Sequence, residues 1–228
     1  MSIYAIGDLH LSVAAKKPMD IFPGWENHAE RLIENWNRKI RAQDTVVLVG
    51  DTSWGMTLAS SIPDFRLIDR LPGKKIILKG NHDYWWVSVS KMQNAFAEHG
   101  ITTLSILHNN SYEVEGKWIC GSRGWLFENG EAHDDKIIRR EAMRMEASLK
   151  SAGAKGERIL FLHYPPVYAG QVQERFLEVM KKYGIKRCCY GHIHGNGHRY
   201  AIQGDYRGID LRMVSSDYLQ FDPALISE

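Results

Sequence analysis

No window of this sequence approaches the roughly 20 consecutive apolar residues that cross a bilayer, and Met1-Ser2-Ile3-Tyr4 is not a basic region leading into a long apolar core. Both absences point to a cytoplasmic protein with no membrane partner. Strong charge of either sign is missing too: Lys+Arg 29 against Asp+Glu 27 leaves a formal +2, too balanced for a surface built to hold long nucleic acid. A nucleic-acid partner therefore stays open but is not favoured. Cysteine is scarce. Cys120, Cys188 and Cys189 are odd in number, and the adjacent pair does not bridge easily, so all three read as small buried residues on strands. Internal repeats, low-complexity tracts and long linkers are absent as well. A chain of 228 residues can bury about 70% or more of its unfolded surface, and a single domain over residues 1–228 is expected.

What is present is a recurring pattern: an apolar β-type run that ends in Asp, Asn or His. It is clearest over 74–83, where Ile76-Ile77-Leu78 stops at Gly80 and releases Asn81, His82 and Asp83. The same pattern closes 3–10 with Gly7-Asp8-Leu9-His10, 46–51 with Gly50-Asp51, 159–163 with His163, and 188–194 with Gly191-His192-Ile193-His194. An α/β sheet presents chemistry in this way, at the carboxyl ends of its strands.

Between these runs, helices are expected over 27–42, with Ala29, Leu32, Ile33, Trp36 and Ile40 on one stripe, and over 57–71, broken at Ile62-Pro63. Further helices are expected over 87–99, over 131–151 with the stripe Ile138, Ala142, Met145 and Leu149, and over 173–183. Short strands are expected at 102–107, 112–114 and 117–120, the last two joined at Glu115-Gly116 as a hairpin, and again at 198–203 and 207–214. The β-α-β-α-β order up to residue 83 argues for parallel strands with right-handed crossovers. The later short strands suggest a second sheet facing the first, with helices outside.

Gathered together, the strand-end residues are Asp8, His10, Asp51, Asn81, His163, His192 and His194, with His82 beside them. Oxygen donors and imidazoles in this number exceed what one tetrahedral ion needs and suit two five- or six-coordinate divalent ions sharing a carboxylate. With no thiolate in the set, the donors favour manganese, iron or zinc over calcium or a pure magnesium site. A lone histidine after a strand is ordinarily scaffolding, but here five of the ten histidines follow apolar runs. Asp8 and His10, two apart, project the same way if extended backbone persists past Gly7. Trp54, Tyr84, Trp85, Trp86, Tyr164 and Tyr168 follow the motifs; packing explains most of them, and stacking on a flat substrate group is the alternative. Arg123 is a candidate phosphate clamp or a surface arginine. Asp83 also fits a helix N-cap ahead of Val87, and His198 has no ligand role.

Taken in order, Asp8-x-His10, Gly50-Asp51, Gly80-Asn81-His82-Asp83, His163 and Gly191-His192-x-His194 resemble the five motifs of the calcineurin-like metallophosphoesterase superfamily, across residues 8–194. The resemblance implies a four-layer α/β/β/α sandwich of two mixed sheets flanked by helices, with a two-metal centre at one edge. It implies one ion held by Asp8, His10 and His194, a second by Asn81, His163 and His192, and Asp51 bridging. It also implies that His82 faces the leaving group, that Asp83 orients His82, and that a phosphate ester is hydrolysed by in-line attack of a metal-bridging hydroxide. Thr52-Ser53-Trp54 follows Gly50-Asp51 where the serine/threonine protein phosphatases continue with Asp-Arg-Gly, so a phosphoprotein substrate is not indicated. A small phosphodiester or nucleotide-like substrate is preferred, with a phosphomonoesterase as the alternative. A catalytically silent metal-binding scaffold for protein partners is the rival of another class, and the complete ligand set with His82 argues against it. Oligomeric state and natural substrate depend on surface and pocket shape rather than on motif residues.

Overall fold

The computed structural model describes residues 1–127 and 134–228. Alternation along the strands decides its architecture. In β2 (Thr45–Leu48) and the residue after it, Val46 and Leu48 belong to one apolar cluster and Val47 and Val49 to another, and all four are buried. β1 (Ile3–Ile6), β3 (Lys74–Ile77) and β7 (Glu157–Leu162) are divided in the same way. A strand apolar on both sides has to be covered on both sides.

The first sheet runs β13 (Ala224–Ser227), β1, β2, β3, β4 (Leu104–Ile106), parallel except for β13. The second runs β11 (Gly204–Tyr206), β12 (Ile209–Met213), β10 (Arg187–Tyr190), β7, β6 (Lys117–Ser122), β5 (Ser111–Val114), with four parallel strands inside and one antiparallel strand at each edge. Ile3, Val47, Val49, Ile76, Leu78, Ile159, Phe161 and Val214 fill the space between the sheets. Helices α1 (His28–Lys39), α2 (Leu58–Arg70) and α3 (Val89–Glu98) cover the outer face of the first sheet, and α4 (Asp135–Ser151) and α5 (Glu174–Lys182) that of the second. The result is the expected α/β/β/α sandwich.

The hairpin at Glu115-Gly116 forms, with φ of 51° and 70° at the two turn residues, as a type I′ turn requires. Two expectations about these elements are corrected. The break at Pro63 does not occur: α2 runs through it, giving up one i→i−4 bond while Ile62, Phe65 and Ile68 stay buried on its inner face. Residues 198–203 are not a strand, because Gly195–Tyr200 coils into a 3-10 turn whose His198 bonds back to the Ile193 carbonyl at 3.1 Å. The two-residue strands β8 (Val167–Tyr168) and β9 (Gln171–Val172), and the terminal β13, were not anticipated. Runs this short carry no readable period, and β13 exists because β1 offers it an edge. The helix expected from residue 131 is capped at Asp134, whose carboxylate accepts from the Lys136 N–H; residues 131–133 lie outside the described residues.

The two sheets are stitched where the site lies. The Gly7 N–H donates to the Val214 carbonyl at 2.7 Å, and the Ser216 N–H donates to the Gly7 carbonyl at 3.0 Å. The end of β1 is thereby tied to the end of β12, and the carboxyl ends of both sheets share one edge.

Candidate metal centre

Beyond the last paired residues of β1 and β2, the two loops stay zipped together: the Asp8 N–H donates to Gly50 O, His10 N–H to Asp51 O, and Leu11 N–H to Thr52 O. The chain does not stay extended. Asp8, His10, Asp51 and His192 all have left-handed backbone, with φ of 59°, 46°, 50° and 74°. Such conformations cost of order 1–3 kcal/mol for a residue other than glycine and persist only where the surroundings over-determine them. Asp8 and His10 do converge, as expected, but through turned backbone rather than through the pleat of a strand.

Two glycines are there because nothing larger fits. A Cβ on Gly80 would lie 2.0 Å from Asp51 Oδ1, and one on Gly50, itself at φ 86°, would lie 2.6 Å from His163 Nδ1. The loops after β2 and β3 can therefore touch. Asp83, fully buried, fastens them: Oδ2 accepts from the Asp51 and Gly80 N–H groups at 2.9 and 2.7 Å, and Oδ1 from the Thr52 N–H and the Trp85 indole at 2.9 Å each. These partners differ from the His82 ring that the motif resemblance assigns to Asp83; the His82 ring instead meets the Tyr84 hydroxyl at 3.3 Å. Asp83 is likewise not the cap of α3, which begins after Ser88.

Donor atoms from all five loops meet over this clasp. Asp8, His10 and His194 offer ligand atoms within 4.8 Å of one another, and so do Asp8, Asp51 and His163. Asp51 Oδ1 is occupied by the His82 N–H at 2.8 Å, leaving Oδ2 between His10 Nε2 at 3.8 Å and His163 Nε2 at 3.6 Å. Both carboxylates thus stand between the two histidine groups. Asn81 Oδ1 lies 2.6 Å from His163 Nε2 and 3.0 Å from His192 Nδ1.

The donor set fits a cation better than it fits itself. His163 Nδ1 lies 3.0 Å from the Val49 carbonyl, an acceptor only, so it carries the ring proton and Nε2 presents a lone pair. That lone pair faces Asn81 Oδ1 and Asp51 Oδ2, which are acceptors too. His10 Nδ1 is buried and has no hydrogen-bond partner among the described residues. Burial, followed by the charge of Asp8, pushes Asp51 up to about 8. Burial acts in the same sense on Asp8, but His194, His163 and His10 overcome it and hold Asp8 below the usual carboxylate range. Without positive charge between them, the two carboxylates do not both ionise comfortably; divalent cations remove the conflict. Burial lowers His10 and His163 and brings His192 down to about 3, keeping their rings neutral and ready to ligate.

Asp217, which the strand-end pattern did not single out, orients His194. Its Oδ1 lies 3.0 Å from His194 Nδ1, and its Oδ2 accepts from the Gly195 N–H at 2.9 Å and lies 3.2 Å from His198 Nε2. Burial works against a charged His194, but Asp8 and Asp217 outweigh it and raise the ring to about 10. Protonated on both nitrogens in this state, His194 keeps its Nδ1 proton on Asp217 and turns Nε2 toward Asp8, 3.6 Å away, where a cation would replace the second proton. No local signal marked Asp217: Val214, Ser215 and Ser216 separate it from the end of β12.

A cleft of about 640 Å³ opens over His10, Asp51, Asn81, His82, His192 and His194, and its other wall is Met19, Phe22, Pro23, Trp25 and Trp54. His82 is held below the ordinary histidine range by burial and by the charges of His163 and Lys17. Of the aromatics following the motifs, Trp54 lines the cleft, Trp85 packs in the core against Phe65, and Tyr164 lies against His192 with ring centroids 4.2 Å apart and the planes tilted by 48°. Arg123 lies outside the cleft, 3.8 Å from buried Glu141 and over the Trp125 ring. His198 serves Asp217 and joins neither ligand group.

Among the described residues no helix is long and apolar enough to cross a membrane. No curated protein matches the sequence. Solved structures with the same fold include a protein of unknown function from Aquifex aeolicus, 20% identical with a TM-score of 0.56, covering 98% of this chain and 95% of that one. Another is the phosphopantetheinyl hydrolase of Mycobacterium tuberculosis, 13% identical with a TM-score of 0.60, over 99% of this chain and 95% of that one. A third, from Thermus thermophilus, is 13% identical with a TM-score of 0.56, over 99% and 97% of the two chains. The family model for calcineurin-like phosphoesterases matches residues 1–196, a span that takes in all five ligand loops, and the chain accordingly belongs to the calcineurin-like phosphoesterase family.

Proposed function

We propose that the protein hydrolyses a small phosphate ester, a phosphodiester or nucleotide-like molecule by preference, at a centre of two divalent cations. The observation that carries the proposal is the crowding of buried ligand atoms from Asp8, Asp51, Asn81 and His163, where the Nε2 lone pair of His163 faces the Asn81 and Asp51 oxygens. Asp8, His10 and His194 would hold one ion, Asn81, His163 and His192 the other, and Asp51 would lie between. Manganese, iron or zinc ions there supply Lewis acidity toward water and the phosphoryl oxygens.

The remaining work falls to the chain's own groups. His82, in the cleft and next to the Asp51 carboxylate through its backbone N–H, is positioned to give a proton to the departing oxygen. A phosphoryl group beside the ring adds negative charge that offsets the burial and favours the protonated form. Asp83 holds the Asp51 and Asn81 loops in register, and Asp217 fixes the tautomer of His194. The apolar wall favours a diester, which keeps an organic group on each side of phosphorus, over a monoester.

The test is turnover of bis(p-nitrophenyl) phosphate and p-nitrophenyl phosphate by chelator-stripped protein reloaded with manganese, with His82→Ala as control. Manganese-dependent turnover, faster for the diester and lost in the variant, is expected. Faster monoester turnover would make the protein a phosphomonoesterase. Absence of turnover of both with two ions verifiably bound would count against a general small-ester hydrolase and for a narrow natural substrate or a silent scaffold.

A further inference from the structure

The apolar half of the cleft is built partly from core residues, Met19 and Trp25, and partly from residues the core does not bury. Residues 19–25 form two consecutive turns, with the Phe22 N–H donating to Met19 O at 2.9 Å and the Trp25 N–H to Phe22 O at 3.1 Å. Both ends of the segment are anchored. Trp25, 4% exposed, packs edge-on against His194 and Phe221 with ring centroids 5.5 and 5.1 Å apart, and Met19 Sδ accepts from the Trp54 indole at 3.3 Å. Arg31 braces the second turn through the Gly24 carbonyl at 2.8 Å.

Phe22 sits between these anchors and is 48% exposed. A phenyl ring left in water on a fastened loop is apolar surface that the fold does not use. The ring lines the cleft together with Pro23, and Gly195 and Asn196 line the same cleft. The remaining wall, Trp54, has its own faces engaged: His10 stacks on it at 4.7 Å and Lys17 Nζ lies 4.3 Å from its centre. Phe22 and Pro23 are therefore the apolar surfaces left for a ligand, and they belong to the same cavity as the metal-ligand set.

We propose, resting on the phosphoesterase reading, that Phe22 and Pro23 are one jaw of a subsite that grips a flat aromatic group of the phosphate ester, with Gly195 and Asn196 as the other jaw. Gly195 brings no side chain to obstruct a ring, and the Asn196 amide offers a hydrogen-bond donor and acceptor to ring-edge heteroatoms. Lys17, over Trp54 and close enough for its charge to act on His82, adds positive charge near the cleft, matched to an anionic ester. A planar ring loses little conformational freedom on entering such a slot, whereas an alkyl chain loses rotamers, so the subsite prefers rings to chains of equal apolar area.

Binding of methyl-, hexyl- and 1-naphthylphosphonate to the manganese-loaded protein, measured by calorimetry, tests the proposal without turnover. The naphthyl compound should bind about tenfold or more tighter than the methyl compound, and tighter than the hexyl. Phe22→Ala should shrink the naphthyl-to-methyl ratio to threefold or less, while Leu225→Ala, an exposed apolar change on edge strand β13, should leave that ratio as it was. Methylphosphonate binding with no naphthyl preference, a hexyl preference, or a ratio unmoved by Phe22→Ala would overturn the aromatic subsite and leave the phosphoesterase reading standing. Failure of all three phosphonates to bind with metal present would overturn both together.

Discussion

Asp83 is the residue on which the geometry of the site hangs, and Asp83→Asn isolates its contribution at constant size. The carboxylate accepts four N–H groups, two on each oxygen, from Asp51, Gly80, Thr52 and Trp85. An asparagine keeps one acceptor oxygen and turns an NH₂ toward two of those donors. Hydrogen bonds to a charged acceptor are worth about 1.5–3 kcal/mol each, so two lost bonds amount to roughly 3–6 kcal/mol. Removing a buried charge gives part of this back, since burial and the Asp51 charge already push Asp83 up to about 6. A net loss of about 2–4 kcal/mol remains, or roughly 5–15 °C in Tm for a chain of this length. Guanidinium unfolding of the chelator-treated protein at pH 7.5, followed by far-ultraviolet circular dichroism, measures it. The same variant should bind manganese more weakly, because Asp51 and Asn81 lose their common fastening. A loss under about 1 kcal/mol with metal affinity unchanged would refute the idea that this clasp sets the site.

Three further outcomes are expected. His82→Ala should leave manganese stoichiometry intact while kcat falls by about 10²–10⁴, most for esters with poor leaving groups; equal losses for good and poor leaving groups would remove His82 from the proton-transfer role. Asp217→Asn should weaken the ion held by His194 by about 10–100-fold and leave the other ion bound, which competition with a metal-sensitive dye resolves; equal loss of both ions would mean that Asp217 supports the fold rather than one ligand. Lys75, wholly buried with its Nζ on the Leu71 carbonyl and 3.2 Å from Thr103 Oγ1, is lowered to about 8 by burial. Between about pH 8 and 10.4 the unfolded chain, with an ordinary lysine, binds more protons than the folded one, so stability contributed by this group rises with pH. The stability of the natural protein relative to Lys75→Met should therefore grow from pH 7.5 to 10, and a flat difference in urea melts would contradict the burial of a titrating amine.

The strands, their parallel order in the first half and most of the ligand set were legible in the sequence because each depends on short-range pattern. Val46 to Val49 and Ile159 to Leu162 are apolar at every position, which only doubly covered strands tolerate, and a polar residue directly after such a run has nowhere to go but the sheet edge. The motif order did the rest, placing Asp8, His10, Asp51, Asn81, His163, His192 and His194 together. Tertiary structure alone decided what depends on distant segments meeting. The left-handed backbone at Asp8, His10, Asp51 and His192 is enforced by loop-to-loop hydrogen bonds that no local propensity predicts. Asp83 was read as a partner of its neighbour His82, whereas its carboxylate reaches across to the Asp51 loop, more than 30 positions away. Asp217 acquired its role from a histidine 23 positions earlier. Phe22 and Pro23 became a cleft wall because Trp25 and Met19 pin their loop against His194 and Trp54. Periodicity records which side of a strand or helix is buried; it carries no record of which loops from opposite ends of the chain are brought edge to edge, and the site is made there.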